Sequence, residues 1–287
     1  MALKNSITLT TRVSDLDFLR HVNNKVYEQL CAEGRYRLLE EQGYSIETLM
    51  GKGIALRPMA SFVKFALQQK SGATLNVQTE AIPLGNGVIL WNHQITQPDG
   101  KTVCQVQAKT ETLESLRKPV ELLPATDEPV PQILIEDIPD FSGKCSRITT
   151  SYSVIYTDMD TFGNLPIAAY WRIFEEGRHL FGGQLGLTLD KLVQFNTHLF
   201  WVAGTYQYYQ PVRAGQPLMI HTWLERIVKI RAYIRQEIRS ADGAKLLGAS
   251  REEHLIVSLT EARPREIPPE MATIVNELIE FQNQPAS

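Results

Sequence analysis

The stretch Asn24-Lys25-Val26-Tyr27-Glu28-Gln29-Leu30-Cys31-Ala32-Glu33-Gly34-Arg35-Tyr36-Arg37-Leu38-Leu39-Glu40-Glu41-Gln42-Gly43 reads as one long helix closed by a terminal glycine. Its apolar stripe is Tyr27, Leu30, Cys31, Gly34 and Leu38, at helical spacing. A glycine inside a helix costs about 1 kcal/mol relative to alanine. Its place on the buried stripe therefore predicts that the helix lies very close to something flat. The same design recurs 143 positions later as Tyr170, Ile173, Phe174, Gly177 and Phe181, ending at Gly186.

Sliding the chain on itself by those 143 positions aligns two halves without a gap. Asp15 and Asp17 fall on Asp158 and Asp160, and Tyr27 falls on Tyr170. Glu33-Gly34-Arg35 falls on Glu176-Gly177-Arg178, Gly72 on Gly215, and Asp99-Gly100 on Asp242-Gly243. A period this long describes two whole domains.

In each copy a short strand (Ile7 to Val13 in the first) leads through a polar loop, Ser14 to His21, into the helix. Four extended segments follow, at 53–67, 73–84, 86–97 and 101–114. Alternation is clearest where Leu75, Val77, Thr79 and Ala81 oppose Asn76, Gln78 and Glu80. Asp99-Gly100 and Asp242-Gly243 read as hairpin turns. One helix followed by an antiparallel sheet is an α+β pattern, with the sheet expected to wrap the helix. Pro119, Pro124, Pro129, Pro131 and Pro139 mark an extended surface linker. The expected organisation is a first domain at 1–118, a linker at 119–146, a second domain at 147–263 and a tail at 264–287, with a helix over 270–283.

The 287 residues carry a net charge of -3 and contain no basic run, so a general nucleic-acid partner is disfavoured. Met1 to Thr11 shows no apolar leader, and no apolar stretch is long enough for a membrane span, so a cytoplasmic protein without a membrane partner is expected. Cys31, Cys104 and Cys145 form no paired framework, and the six histidines (His21, His93, His179, His198, His221, His254) have no zinc spacing. No Gly-x-Ser-x-Gly elbow appears, so a serine hydrolase of the α/β type is not expected, and with no phosphate-binding loop in the sequence no cofactor is expected.

The chemistry concentrates in Ser14-Asp15-Leu16-Asp17-Phe18-Leu19-Arg20-His21-Val22-Asn23-Asn24, with Tyr27 one turn on. This resembles the Asp-x-Asp-x-x-x-His-Val-Asn-Asn-x-x-Tyr signature of hotdog thioesterases, as in the 4-hydroxybenzoyl-CoA thioesterase-like and plant acyl-ACP thioesterase families. A second mark of the resemblance is Tyr209-Gln210-Pro211-Val212-Arg213-Ala214-Gly215-Gln216-Pro217-Leu218. The resemblance spans residues 7–114 and 150–257. It implies two tandem hotdog domains forming an internal pseudo-dimer, with the better site combining the Asp17 loop and strands of the second copy. It also implies an acyl-CoA or acyl-ACP substrate, and a homodimer of the tandem chain is a further expectation.

The residues support that chemistry physically. A loop running into a helix offers N–H groups with positive dipole character, so amides at Val22, Asn23, Asn24 and Lys25 can hold a developing oxyanion. Asp17, where the resemblance places the catalytic carboxylate, can act as general base or as nucleophile. His21 can orient substrate or water, and Asn24 can order the loop. The catalytic candidates are thus Asp17, His21 and Asn24 with their counterparts Asp160 and Asn164. Val22, Asn23, Lys25, Tyr27 and Arg213 are candidate substrate contacts.

Plainer readings stand beside these. Asp15 reads as a turn residue, Asn23 and Asn24 as helix-start residues, and Tyr27, Tyr170 and Cys31 as core. Glu33 and Arg35 read as a local ion pair, with Glu33 a reserve catalytic candidate. The chain also departs from the pattern. Leu19 stands where plant acyl-ACP enzymes carry Asn, and the second copy replaces His-Val-Asn-Asn with Asn164-Leu165-Pro166-Ile167. Two other readings are a hotdog hydratase, whose Asp-x-Asn-Pro-x-His stretch neither copy has, and a non-catalytic thioester-binding module.

Overall fold

The computed structural model describes residues 3–115, 117–124 and 129–281. The chain divides into two compact units, Met1–Glu136 with Ile155–Trp171, and Asp137–Val154 with Arg172–Ser287. Among the described residues no helix is long and apolar enough to cross a membrane.

In the first unit the elements run β1 (Leu3–Thr10), α1 (Asn24–Glu41), α2 (Ile46–Gly51), β2 (Ile54–Phe65), β3 (Thr74–Gly85), β4 (Val88–Thr96), β5 (Thr102–Glu114) and the two-residue β6 (Lys118–Pro119). The strands pair antiparallel in the order β1-β3-β4-β5-β2, with β6 on β5. The expected alternation on β3 holds: Leu75, Val77, Thr79 and Ala81 are buried, whereas Asn76, Gln78 and Glu80 are not. That buried row receives α1. A Cβ added at Gly34 would land inside contact distance of Thr79 Oγ1, so the flat neighbour foreseen for the helical glycine is strand β3.

The second unit repeats the plan with β7 (Ile148–Ser153), α3 (Ile167–Gln184), α4 (Leu189–Gln194), β8 (Thr197–Tyr208), β9 (Pro217–Val228), β10 (Arg231–Ser240), β11 (Leu246–Ser258), β12 (Arg263–Pro264) and α5 (Pro269–Val275). Its strand order is β7-β9-β10-β11-β8, again antiparallel, with β12 on β11. The first turn of α3 groups with the first unit and the rest with the second. A Cβ at Gly177 would lie 2.7 Å from Gln236 Nε2 and 2.8 Å from Ile220 Cγ2, which reproduces the close approach. Each copy is therefore an antiparallel sheet around one long helix, the α+β tandem hotdog architecture expected.

Several local expectations change. Strand β1 ends at Thr10, because Val13 enters a 3-10 turn, Val13–Asp15, and is 78% exposed. The short helices α2 and α4 escape periodicity, although Ser45 and Thr188 accept from the Thr48 and Lys191 amides and are legible as caps. The two copies do not align without a gap. Both turns place glycine at positive φ, Gly100 at 84° and Gly243 at 72°. The first closes from the Gln97 amide to the Lys101 carbonyl and the second from Ser240 to Lys245, one residue longer. Beyond the hairpin Ala108 thus matches Glu252 and Thr110 matches His254, as the strand pairs Trp91↔Ala108 and Ile234↔Glu252 require.

The tail helix is short. It runs Pro269–Val275, with a 3-10 turn at Asn276–Leu278, and residues 282 and 283 of the expected helix lie outside the described residues. Residues 129–146 of the expected linker form no helix or strand. In the first unit Gln107 ties it down, donating to the Gln132 carbonyl at 3.2 Å and accepting from the Leu134 amide at 2.8 Å.

Candidate active site

The loop before α1 is folded almost entirely by backbone and carboxylate hydrogen bonds. The Arg12 amide donates to Asp15 Oδ2 at 2.8 Å, and the Asn23 amide donates to the Asp15 carbonyl at the same distance. Asp15 is buried, so it is the turn residue expected. Leu16 and Val22 then form an antiparallel bridge, and between them Asp17 closes a tight loop. The Asp17 amide donates to the His21 carbonyl at 2.8 Å, while the His21 amide donates to Asp17 Oδ1 at 3.1 Å. Arg20, at φ 64°, supplies the left-handed residue that lets the chain turn back. Asn23 caps α1 by accepting the Lys25 amide at 3.0 Å.

These bonds correct the expected set of oxyanion donors. The Val22 amide is taken by the Gln69 carbonyl at 2.9 Å, the Asn23 amide by Asp15, and the Lys25 amide by the Asn23 side chain. Among the described residues, the Asn24 N–H has no partner, and it stands at the positive end of an 18-residue helix. Asp17 Oδ2 and the His21 ring likewise make no hydrogen bond or ion pair among the described residues, and both side chains are half-buried. The loop thus brings together a carboxylate oxygen, an imidazole and a helix-start amide, each available to a reactant.

Two expected substrate contacts belong to the packing instead. Val22 is 4% exposed, and Tyr27 is 2% exposed with its ring edge-on to Phe65 at 5.5 Å. Burial pushes the Tyr27 hydroxyl above its ordinary range, and the hydroxyl meets the Gln69 backbone. Gln69 therefore anchors the loop at Val22 and the helix at Tyr27. Sequence reading passed over it, because one glutamine within the polar run Gln68-Gln69-Lys70-Ser71 carries no periodic signal. It is 3% exposed, its Oε1 accepts from Gln97 at 3.1 Å, and its Nε2 has no partner among the described residues.

The second loop keeps the frame and changes the contents. Asp158 is buried and accepts the Ile155 amide at 3.1 Å, just as Asp15 does that of Arg12. Asp160 Oδ1 accepts two amides, from Asn164 at 2.8 Å and Phe162 at 2.9 Å, with Gly163 at φ 78° in the place of Arg20. Burial raises the Asp160 carboxyl above its ordinary range against the pull of those amides. Phe162 stacks on Tyr36 at 6.1 Å. Asn164 is 6% exposed, so this loop is tied and covered where the first is open.

Arg213 lies exposed in the turn after β8, where its amide donates to Gln216 Oε1 at 3.1 Å. Glu33 and Arg35 do not pair with each other. Glu33 bonds Arg37 at 3.0 Å on the exposed face, whereas Arg35 is buried against Glu28 and His93. Neighbours two apart on a helix point in different directions, so that pairing was geometrically excluded.

The family model described as the thioesterase-like superfamily matches residues 11–130 and 154–275. Among solved structures, the 12:0-ACP thioesterase of Umbellularia californica is 12% identical with a TM-score of 0.67, over 92% of this chain and 95% of that one. An acyl-ACP thioesterase of Bacteroides thetaiotaomicron is 14% identical with a TM-score of 0.65, over 88% and 97%. At such identities the likeness is one of fold. No curated protein sequence matches the chain.

Proposed function

The chain belongs to the thioesterase-like superfamily, and from that premise we propose that it hydrolyses acyl thioesters of coenzyme A or acyl carrier protein, using the Asp17 loop. The observation that carries the reading is the trio on that loop: one free carboxylate oxygen at Asp17, an unbonded His21 ring and an unpaired Asn24 N–H among the described residues.

In the base form of the reaction, Asp17 takes a proton from water as the hydroxide adds to the thioester carbonyl. The oxyanion is held by the Asn24 N–H at the helix start. Collapse expels the thiolate, which leaves as thiol on protonation. In the nucleophile form, the carboxylate itself adds, thiolate departs, and water cleaves the resulting anhydride. His21 orients water or substrate in either form. The acyl-ACP thioesterases among the structural neighbours make a carrier-protein thioester a substrate to test alongside CoA esters.

The test is thiol release across acyl-CoA and acyl-ACP chain lengths with wild type, Asp17→Asn and Asp160→Asn. Removing a general base costs about 10²–10⁴-fold in turnover. The Asp17→Asn variant keeps a side-chain oxygen to receive the His21 amide, so the fold survives. Asp160→Asn loses less than about tenfold, since its carboxylate serves the turn. Equal losses, or a larger one at Asp160, would overturn the assignment. Leu19, standing where the related pattern has an amide side chain, favours one competitor, a module that binds thioesters without cleaving them. Saturable acyl-thioester binding with no thiol release would establish that competitor.

A further inference from the structure

One pair of facing interior positions differs between the two copies in a way that changes the space they enclose. In the first unit Trp91, on β4, is fully buried, and its Nε1 donates to Thr110 Oγ1 on β5 at 2.8 Å. The matching positions in the second unit are Ile234 on β10 and His254 on β11, as the shared strand register shows. There the indole has no counterpart, and a cavity of about 230 Å³ opens beside Ile234 and His254. Its walls are mostly apolar, with Phe181, Leu192, Leu224, Ile256 and Met271 among them, and the exposed His179 stands on its rim.

Arg178 on that wall is committed to a buried ion pair with Glu252. Arg178 Nη1 donates to Glu252 Oε1 at 2.6 Å, and Tyr206 donates to the same oxygen at 2.8 Å. His254, also on the wall, is 4% exposed, and its Nδ1 has no partner among the described residues. Its Nε2 faces the Glu252 carboxylate at 3.8 Å, too far for a hydrogen bond, and a neutral ring with its proton turned toward that negative charge presents Nδ1 as an acceptor. Burial and the nearby Arg178 charge hold the ring neutral. An apolar cavity lined by one orphaned acceptor calls for an apolar body with one donor.

We propose that this cavity is a binding site for a neutral, apolar small molecule carrying one N–H or O–H donor, which bonds His254 Nδ1 as the Trp91 indole bonds Thr110. Size agrees with that class. A cavity of ~150 Å³ accommodates benzene, so 230 Å³ suits about nine non-hydrogen atoms, the number in an indole ring. An anion is disfavoured, because the Arg178 guanidinium on the wall already serves Glu252. The site lies wholly within the second unit and does not depend on the hydrolase reading.

Indole and benzofuran, equal in size but differing in the donor, are the probes, titrated calorimetrically into the intact protein. Indole saturates one site and binds about 3–10-fold tighter than benzofuran, the effect of one neutral hydrogen bond. His254→Leu removes that preference while leaving benzofuran bound. Ile234→Trp, which refills the space as the first unit does, abolishes binding of both. Absence of saturable indole binding to wild type, equal affinity for the two probes, or undiminished indole binding by Ile234→Trp would overturn the proposal.

Discussion

Replacing Glu28 by Met tests how the first unit is held together. Glu28 is 1% exposed and Arg35 5%, two turns apart on the face of α1 that meets the sheet. Arg35 Nη2 donates to Glu28 Oε1, and its Nη1 meets His93 Nε2 at 3.2 Å. Without the carboxylate, a buried guanidinium keeps only a neutral imidazole for company. Leaving one charge of a buried pair uncompensated costs about 3–5 kcal/mol, a large part of the ~5–15 kcal/mol that stabilises a domain. At about 2–4 °C per kcal/mol for a domain of this order of size, the melting midpoint falls by roughly 6–20 °C. Arg35→Met costs a similar amount, because it strands the carboxylate instead. The double variant replaces both charges with apolar groups of like volume and comes out near wild type. The coupling between the two sites, the double loss minus both single losses, is therefore about 6–10 kcal/mol in magnitude. Urea denaturation followed by far-UV circular dichroism on all four proteins measures it. Additive single effects, or a loss below about 1 kcal/mol for Glu28→Met, would refute the reasoning.

Burial, reinforced by the Arg35 charge, holds His93 well below its ordinary value, so the folded state refuses a proton that the unfolded chain accepts below pH ~6.5. Stability therefore falls as pH drops through that value. His93→Gln, the residue found at the matching Gln236, removes up to ~1.4 kcal/mol per pH unit from the slope; unchanged denaturation midpoints between pH ~7 and ~5 would contradict this. Gly34→Ala gains ~1 kcal/mol of helix propensity but drives a methyl into Thr79 Oγ1, itself bonded to His93 Nδ1 at 3.0 Å. Overpacking of about 1–3 kcal/mol makes the net effect destabilising, there and at Gly177→Ala. Thermal melting checks both, and a stabilised variant would mean that helix and sheet are not in close contact.

The sequence by itself determined the duplication, the helix with its buried glycine, the alternating strands and the Asp17 loop. Each is a short-range pattern: side-chain period follows from backbone geometry, and a Gly on an apolar stripe has a meaning before any partner is known. The loop's chemistry was legible for the same reason, since carboxylate, imidazole and helix start lie within eight residues of one another. Which amide remains open at Asn24 was not, because Val22 is claimed by Gln69, some 47 positions away. The true partners of Arg35, the extra residue in the second hairpin, and the exchange of Trp91 and Thr110 for Ile234 and His254 likewise came only with tertiary structure. All depend on which faces meet across long sequence separations, and one inserted residue in a turn shifts every later pairing without disturbing the local pattern on either side.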